Sequence, residues 1–557
     1  MNFDYIVVGG GSGGCVLAAR LSEDPSVSVA LIEAGPADRN ILIHVPAGLA
    51  LLAQTHAANW NFSTVPQKGL NGRIGWQPRG KVLGGSSSVN AMIYIRGHRA
   101  DYDHWASEGN PGWGYDDVLP YFRRAEHNER LNDGYHGNAG PLNVMDLRSP
   151  NKYLQAFVDA GREAGYRITD DFNGAEQEGI GPYQVTHKNG ERFSAAKAYL
   201  TPNLGRRNLT VFTDAHTTRV LFEGRRAAGV EFRRAGRLEQ IAANHEVLLA
   251  AGALQTPQIL MLSGVGPAAE LAKHGIGMLH DLPGVGRNLH DHVDAVQVVD
   301  APHLKETFGV SLSGIGRVLK AIPEWRNRRS GMLTTNFAEA GGFVKSDPSE
   351  AIPDLQLHFV VGKLIDHGRK TVFGHGYSAH VCVLRPQSRG SVTLASADPF
   401  AAPLIDPNFF DHPDDMQRLV RGFHQMRALM NQPALARLGG KELARSASAT
   451  SDAEIEQFIR DYGDTIYHPV GTCRMGSGAM DVVGSDLRVH GLEGIRVVDA
   501  SMMPRIIGGN TNAPTIMVAE KASDMIKAAR VAGADASPRT LRASTDTGAP
   551  AADPLAA

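Results

Sequence analysis

The chain has 557 residues, too many for one hydrophobic core, so it divides into at least two domains. Its composition is that of a globular protein rich in glycine, with 62 glycines, and a formal charge of −2 gives no footing to a nucleic-acid or strongly charged partner. Three widely spaced cysteines, Cys15, Cys382 and Cys473, support neither a disulfide framework nor a zinc site and fit a reducing cytoplasm.

Residues 5–8 are an apolar, β-branched run that reads as a buried strand. They lead into Gly9, Gly11 and Gly14 at G-x-G-x-x-G spacing. Residues 14–21 read as a helix and 27–32 as a second strand, ending in Glu33. The first glycine permits a tight turn, the second lets backbone approach a pyrophosphate, and the third lets helix pack on strand. The helix N-terminus offers free N–H groups to phosphates, and Glu33 stands where a ribose acid is expected. Strand, glycines, helix, strand and acid in that order favour a dinucleotide over a merely structural glycine turn.

No basic leader or cleavage site precedes the first strand, and no apolar run reaches the ~18 residues that span a bilayer. The nearest, residues 41–53, is broken by His44, Pro46 and Gly48. Peripheral membrane contact stays compatible with the sequence. Trp60 and Tyr94 weigh equally as pocket or core. In the stretch 79–97, Gly84-Gly85, three serines and Val89-Asn90 form a small-residue loop able to wrap a phosphate or a flat ring. A helix is expected near 153–163, strands at 209–212, 218–222, 228–232 and 246–251, and a helix at 255–263. His290, Asp291 and His292 suggest a metal, but consecutive side chains leave on different faces, so no metal is assigned.

Alternating runs at 355–361 and 377–384 read as antiparallel strands, followed by an amphipathic helix at 414–431. The carboxyl end then repeats the logic of the amino end. A strand at 495–499 ends in Asp499, a compact loop spans 508–514, and a helix follows at 515–528. Both ends therefore build one nucleotide-binding unit, with a second domain inserted between them. The residues beyond about Val531 read as a disordered tail.

His468 precedes Pro469, which biases it to extended backbone, where a side chain projects freely. Its imidazole can take a proton near neutral pH. Among 22 histidines any one is more often ordinary than catalytic. His468 stands out by its small-residue surroundings and by the loop holding Asn510 and Asn512. An Asn beside such a base can hold the same substrate oxygen, although Asn512 alone would read as a turn residue.

Several long motifs, in order, carry a resemblance: the glycine fingerprint with Glu33, GKVLGGSSSVNAM (80–92), GALQTPQILMLSGVG (252–266), LPGVGRNLHDH (282–292), YHPVGTCRMG (467–476), VVDASMMP (497–504) and GNTNAPTIMVAE (509–520). Together they resemble the glucose–methanol–choline (GMC) flavin oxidoreductases over nearly the whole chain. The subgroup most resembled is that of bacterial FAD-dependent alcohol dehydrogenases of alkane degradation and choline dehydrogenases. The resemblance implies an α/β fold, α+β overall. A Rossmann-like FAD-binding domain is expected at 1–155, 195–300 and 461–530. A substrate domain on an antiparallel sheet flanked by helices is expected at 156–194 and 301–460, with a tail at 531–557. It implies His468 and Asn512 as the catalytic pair. For FAD it implies Gly9, Gly11, Ser12, Gly14 and Glu33; the loop residues Val82, Gly85, Ser86, Asn90, Ala91 and Met92; Val220, whose backbone would meet adenine; and Tyr467, Asp499, Ala500, Asn510, Thr511 and Pro514. Some members attach FAD through a histidine where this chain has Val89, so FAD is expected to be non-covalent.

The implied reaction is oxidation of a primary alcohol to an aldehyde, with His468 as base, Asn512 orienting the oxygen and hydride passing to flavin N5. Electrons would pass to a quinone or another carrier. The location would be cytoplasmic, with contact to the inner membrane face. The amino-terminal fingerprint alone would also permit a nicotinamide dehydrogenase, but the loops at 84–92 and 508–514 do not belong to that plan. A choline or polyether-alcohol dehydrogenase, an oxidase using oxygen and, more remotely, a hydroxynitrile lyase are the other readings. Trp60, Tyr467 and Glu339 could offer a quaternary ammonium an aromatic and acidic pocket, but the aliphatic-alcohol branch shares Trp60 and Glu339.

Overall fold

A computed structural model describes residues 1–149, 151–370 and 372–532. Its first sheet grows from β1 (Asn2–Val8), α1 (Ser12–Leu21) and β2 (Val29–Ile32). The two strands pair in parallel from Tyr5↔Val29 to Val8↔Ile32, as the short connection through a helix requires. Leu209–Phe212 adds in parallel outside β2, and Arg237–Leu249 adds in parallel on the other side of β1. Ile495–Val497, from the far end of the sequence, pairs in parallel with Arg237–Leu249. The antiparallel strands Ala215–Glu223 and Arg226–Arg234 complete this seven-stranded sheet. The last helix of the described chain, Asn512–Ala532, packs on α1, and Arg20 of α1 pairs with its buried Glu520 at 2.8 Å. Both ends of the chain thus share one sheet and its covering helices.

The second sheet is antiparallel and also seven-stranded. Its centre is Val293–Asp300, Gly376–Val383, Leu355–Val360 and Ala338–Val344, with Gly179–Pro182 at one edge. Leu355–Val360 and Gly376–Val383 are buried on both faces in spite of their alternating sequence. The helix Pro413–Met430 lies on this sheet through Leu419, Phe423 and Met426. Gly422 sets the approach: a Cβ there would meet Leu355 at 2.8 Å and Val381 at 2.9 Å.

The expected domain division differs from these pairings at two places. Val293–Asp300, counted with the nucleotide unit, hydrogen-bonds into the second sheet from Asp294↔Cys382 to Asp300↔Gly376. The helix Lys152–Glu163, cut by the boundary at 155, buries Tyr153, Phe157 and Ala160 in the second core. Sequence composition does not change at either point; only strand pairing and packing decide. Val531 and Ala532 close the last helix rather than open a tail, and the rest of the expected tail, 533–557, lies outside the described residues. Among the described residues, no helix is long and apolar enough to cross a membrane.

Candidate active site

A cavity of about 1310 Å³ opens where the two sheets meet. Its floor is the carboxyl end of the parallel strands: Val8, Ile32 and Glu33, Ala250, and Asp499. Open α/β sheets bind ligands at that end. α1 begins there with no side-chain cap and no acid in its first turn, so its N–H groups and dipole face the cavity unsatisfied. The three fingerprint glycines have separate tasks. Gly9 takes φ +101°, and a Cβ there would meet Ala250 O at 2.5 Å. A Cβ on Gly14 would strike the Gly9 carbonyl. A Cβ on Gly11 would meet only Gly85 Cα, at 4.0 Å, so the second glycine is open toward the cavity. That is the cradle a pyrophosphate needs.

Glu33 is buried and borders this floor. Its oxygens each accept one backbone N–H, from Gly10 and Gly35, both at 2.8 Å. Burial pushes its pKa up to about 7 against those hydrogen bonds. The loop after Gly84 turns through a short 3₁₀ segment, Gly85–Ser88, and Asn90 is fixed by the buried Arg192, whose Nη1 donates to Oδ1 at 2.9 Å. Asp499 ties its own turn to the start of the helix Gly252–Leu262: Gly252 N and Thr256 Oγ1 donate to Oδ2, and Ser501 N donates to Oδ1.

The chemistry is held at the other end of the cavity. Tyr467 has φ +72°, and His468 follows it with its N–H donated to Asp291 Oδ1 at 2.7 Å. Asp291 is buried and also accepts from Gln77 and Thr465, so this carboxylate fixes the His468 backbone. The ring is fixed by another histidine. His292 Nε2 lies 2.9 Å from the Leu384 carbonyl, and His292 Nδ1 lies 3.0 Å from His468 Nδ1. A carbonyl only accepts, so His292 carries its hydrogen on Nε2 and its lone pair on Nδ1. His468 must then donate from Nδ1, which leaves the lone pair on Nε2. Asn510 Nδ2 donates to that Nε2 at 3.2 Å. Gln356 Nε2 donates to Asn510 Oδ1 at 3.2 Å and so sets which way the amide points. Burial, then the neighbouring His292 and His358, hold the His468 pKa well below its ordinary value. The ring is a neutral base at neutral pH.

This geometry corrects the expected pair. The side chain at His468 is Asn510, not Asn512. Asn512 opens the last helix, and its Oδ1 accepts from Ser12 Oγ at 2.7 Å on the α1 side of the cavity. Asn510 precedes the helix on the Gly508-Gly509 turn, from which its amide reaches across. Two asparagines in one loop are indistinguishable until the helix start is known. Val220 is a second correction. It is outside the cavity wall, and its N–H is already donated to Ser263 Oγ at 2.8 Å. Ala215 to Thr217 border the cavity instead, beside a bulge between Thr217 and Arg219. Val82 and Pro514 are buried behind the wall, and Gly14 serves helix packing. The remaining expected cofactor residues, Gly9, Gly11, Ser12, Glu33, Gly85, Ser86, Asn90, Ala91, Met92, Tyr467, Asp499, Ala500, Asn510 and Thr511, all border the cavity. Glu339 does not: it is buried, and Thr335 Oγ1 donates to its Oε1. Asp291, His292, Gln356, His358 and His380 were missed as site residues. The cluster 290–292 did mark the place, but through Asp291 on the His468 backbone and His292 on its ring rather than through a shared metal.

Two GMC oxidoreductase family models match the chain, over residues 3–294 and 386–519. The chain is a GMC oxidoreductase. It is 50% identical to the alcohol dehydrogenase [acceptor] of Pseudomonas putida, over 94% of this chain and 95% of that one. It is 42% identical to the oxygen-dependent choline dehydrogenase of Brucella anthropi, over 94% and 96%. An FAD-dependent oxidoreductase from Chaetomium thermophilum superposes with a TM-score of 0.88 at 27% identity, covering 95% of this chain and all of that one. As in the family, the fold is mixed α/β with a Rossmann-like FAD-binding part, and the cofactor is FAD. The GMC cradle fits it: an open second glycine, an uncapped helix N-terminus and a buried acid line one end of a cavity large enough for a dinucleotide. Val89 borders the cavity with an aliphatic side chain that offers a flavin no atom to bond.

Proposed function

We propose that this GMC oxidoreductase oxidises a primary aliphatic alcohol to the aldehyde. The observation that carries the reading is the His468–Asn510 hydrogen bond at the cavity wall, in which His292 and Gln356 fix a lone pair on Nε2 and a donor on Nδ2 side by side, so that an alcohol O–H can take its place against both. FAD, when bound, supplies the hydride acceptor. The protein's residues do the rest. An alcohol oxygen placed between His468 Nε2 and Asn510 Nδ2 gives its proton to the imidazole and keeps a hydrogen bond from the amide. The proton accepted at Nε2 makes the ring a cation, which Nδ1–H shares with the His292 lone pair. Asn510 stabilises charge on the oxygen as the carbon–hydrogen bond breaks.

The wall supports the aliphatic branch over a quaternary ammonium. Its apolar side chains include Leu42, Leu52, Val318, Leu333 and Phe337, and its acids, among the described residues, are Glu33 and Asp499, both on the floor. Glu339, the acid that could have paired a cation, points elsewhere. For the acceptor we propose a quinone or another redox carrier, at the inner face of a membrane. The test is anaerobic addition of 1-octanol and of choline to separate samples of purified holoenzyme. Octanol should bleach the flavin spectrum. Bleaching by choline alone would move the protein to the choline branch. A visible flavin bleached by neither would raise the lyase reading, and cleavage of mandelonitrile would then be measured.

A further inference from the structure

The helix α2 (Leu312–Arg328) stands at the mouth of the cavity. Gly314, Ala321 and Trp325 form its buried face, and the Trp325 indole N–H donates to the Gly190 carbonyl at 2.8 Å. The flank lying about 100° round the helix from that face should be polar on a surface helix. Instead Leu312 is 92% exposed, Ile315 52%, Leu319 61% and Ile322 46%. These positions fall at i, i+3, i+7 and i+10, so they form one stripe. Phe373, 77% exposed, bridges to Val310 just before the helix and continues the stripe past its N-terminus. Single exposed aliphatics are ordinary, but a contiguous stripe marks a surface meant for contact.

Charge identifies the contact. α2 carries Arg317, Lys320, Arg326 and Arg328 against one acid, Glu324, in a chain whose net charge is −2. Lys320, Arg326 and Arg328 are exposed and, among the described residues, enter no ion pair. An apolar stripe on a helix that also carries free cations is the composition of a helix lying in an anionic lipid interface. A second copy fits poorly, because a two-fold contact through α2 would set the same cations against one another. The residues after Ala532 offer only Leu541 and Leu555 as large aliphatics, too little to cover the stripe.

We infer that α2 and Phe373 dock this protein onto an anionic lipid surface, with the cavity mouth against the bilayer. Ile315, Leu319 and Ile322 belong both to the exposed stripe and to the cavity wall. An apolar substrate or carrier dissolved among acyl chains would then enter without crossing water. The inference names the face behind the membrane contact proposed above, and it is tested apart from the alcohol chemistry: vesicle binding and flavin bleaching fail independently.

The experiment is sedimentation of the FAD-loaded full chain with phosphatidylcholine vesicles, with and without phosphatidylglycerol. Binding is expected with phosphatidylglycerol, weaker without it, and weaker in high salt. Leu312→Glu with Phe373→Glu, both outside the cavity wall, should lower vesicle affinity by about tenfold or more. Flavin content and thermal unfolding should match the wild type. Three results would overturn the inference: wild type remaining in solution with phosphatidylglycerol vesicles, the double variant binding as well as wild type, or a wild-type dimer that the double variant dissolves without any vesicle binding.

Discussion

Replacing His292 tests the tautomer argument directly. In His292→Phe the ring volume is kept, but the acceptor at Nδ1 is lost. The His468 Nδ1–H would then be a buried donor without a partner, a loss of about 1–3 kcal/mol. His468 escapes that cost by moving its hydrogen to Nε2, where it can no longer accept a proton from substrate. The population of competent tautomer, and with it kcat/KM for alcohol, should fall about 5- to 150-fold. His292→Gln separates this from a packing effect. Its amide oxygen can accept from His468 while its NH₂ donates to the Leu384 carbonyl, the two tasks His292 performs at 3.0 and 2.9 Å. The Gln variant should recover most of the loss. The assay is anaerobic flavin reduction by alcohol in stopped flow, with flavin content and unfolding temperature measured on each variant. A Phe variant within a few-fold of wild type, or a Gln variant as slow as Phe with equal flavin content, would refute the reasoning.

The two asparagines should separate: Asn510→Ala should lower the rate of flavin reduction about 100-fold, whereas Asn512→Ala should change it only a few-fold, and equal effects in rapid kinetics would reverse their roles. His468→Ala should keep bound FAD and lose reduction by alcohol; reduction at the wild-type rate would remove the base from His468. Gly11→Val should fold, since Gly11 has φ −80° and open space before it, yet purify with less flavin; Gly14→Val should fail to fold because its Cβ strikes the Gly9 carbonyl. Acid should destabilise the fold through its buried histidines. Burial holds His187 and His358 down to about 3 and His216 and His292 to about 4, below the ordinary 6.5. The folded form therefore binds fewer protons than the unfolded one. This contribution is present above about pH 6.5 and is lost as pH falls, by up to about 1.4 kcal/mol per unit for each histidine. Thermal unfolding measured between about pH 7 and pH 5 checks the direction, and a flat profile would contradict it.

The local order of residues was enough to specify the nucleotide end of the molecule. In β1, the glycine turn, α1 and β2, each element forms from its own neighbours in sequence; Gly14 is constrained by the Gly9 carbonyl, Gly9 by the strand end beside it, and Gly11 is left open to the cavity. His468 was legible for a related reason, since its place before Pro469 and its motif are local. What tertiary structure alone decided was everything that depends on two distant segments meeting. Asn510 rather than Asn512 faces His468 because the last helix starts at Asn512 and turns that side chain toward Ser12. His292 became the partner of His468 only when strands separated by more than a hundred residues were laid side by side. Val220 lost its expected contact to Ser263, 43 positions away. The exposed stripe on α2 is in the sequence as an amphipathic pattern, and such a pattern states that one face is apolar. Whether that face is buried depends on what packs against it, and here Gly314, Ala321 and Trp325, on an adjoining face, make the contact with the core.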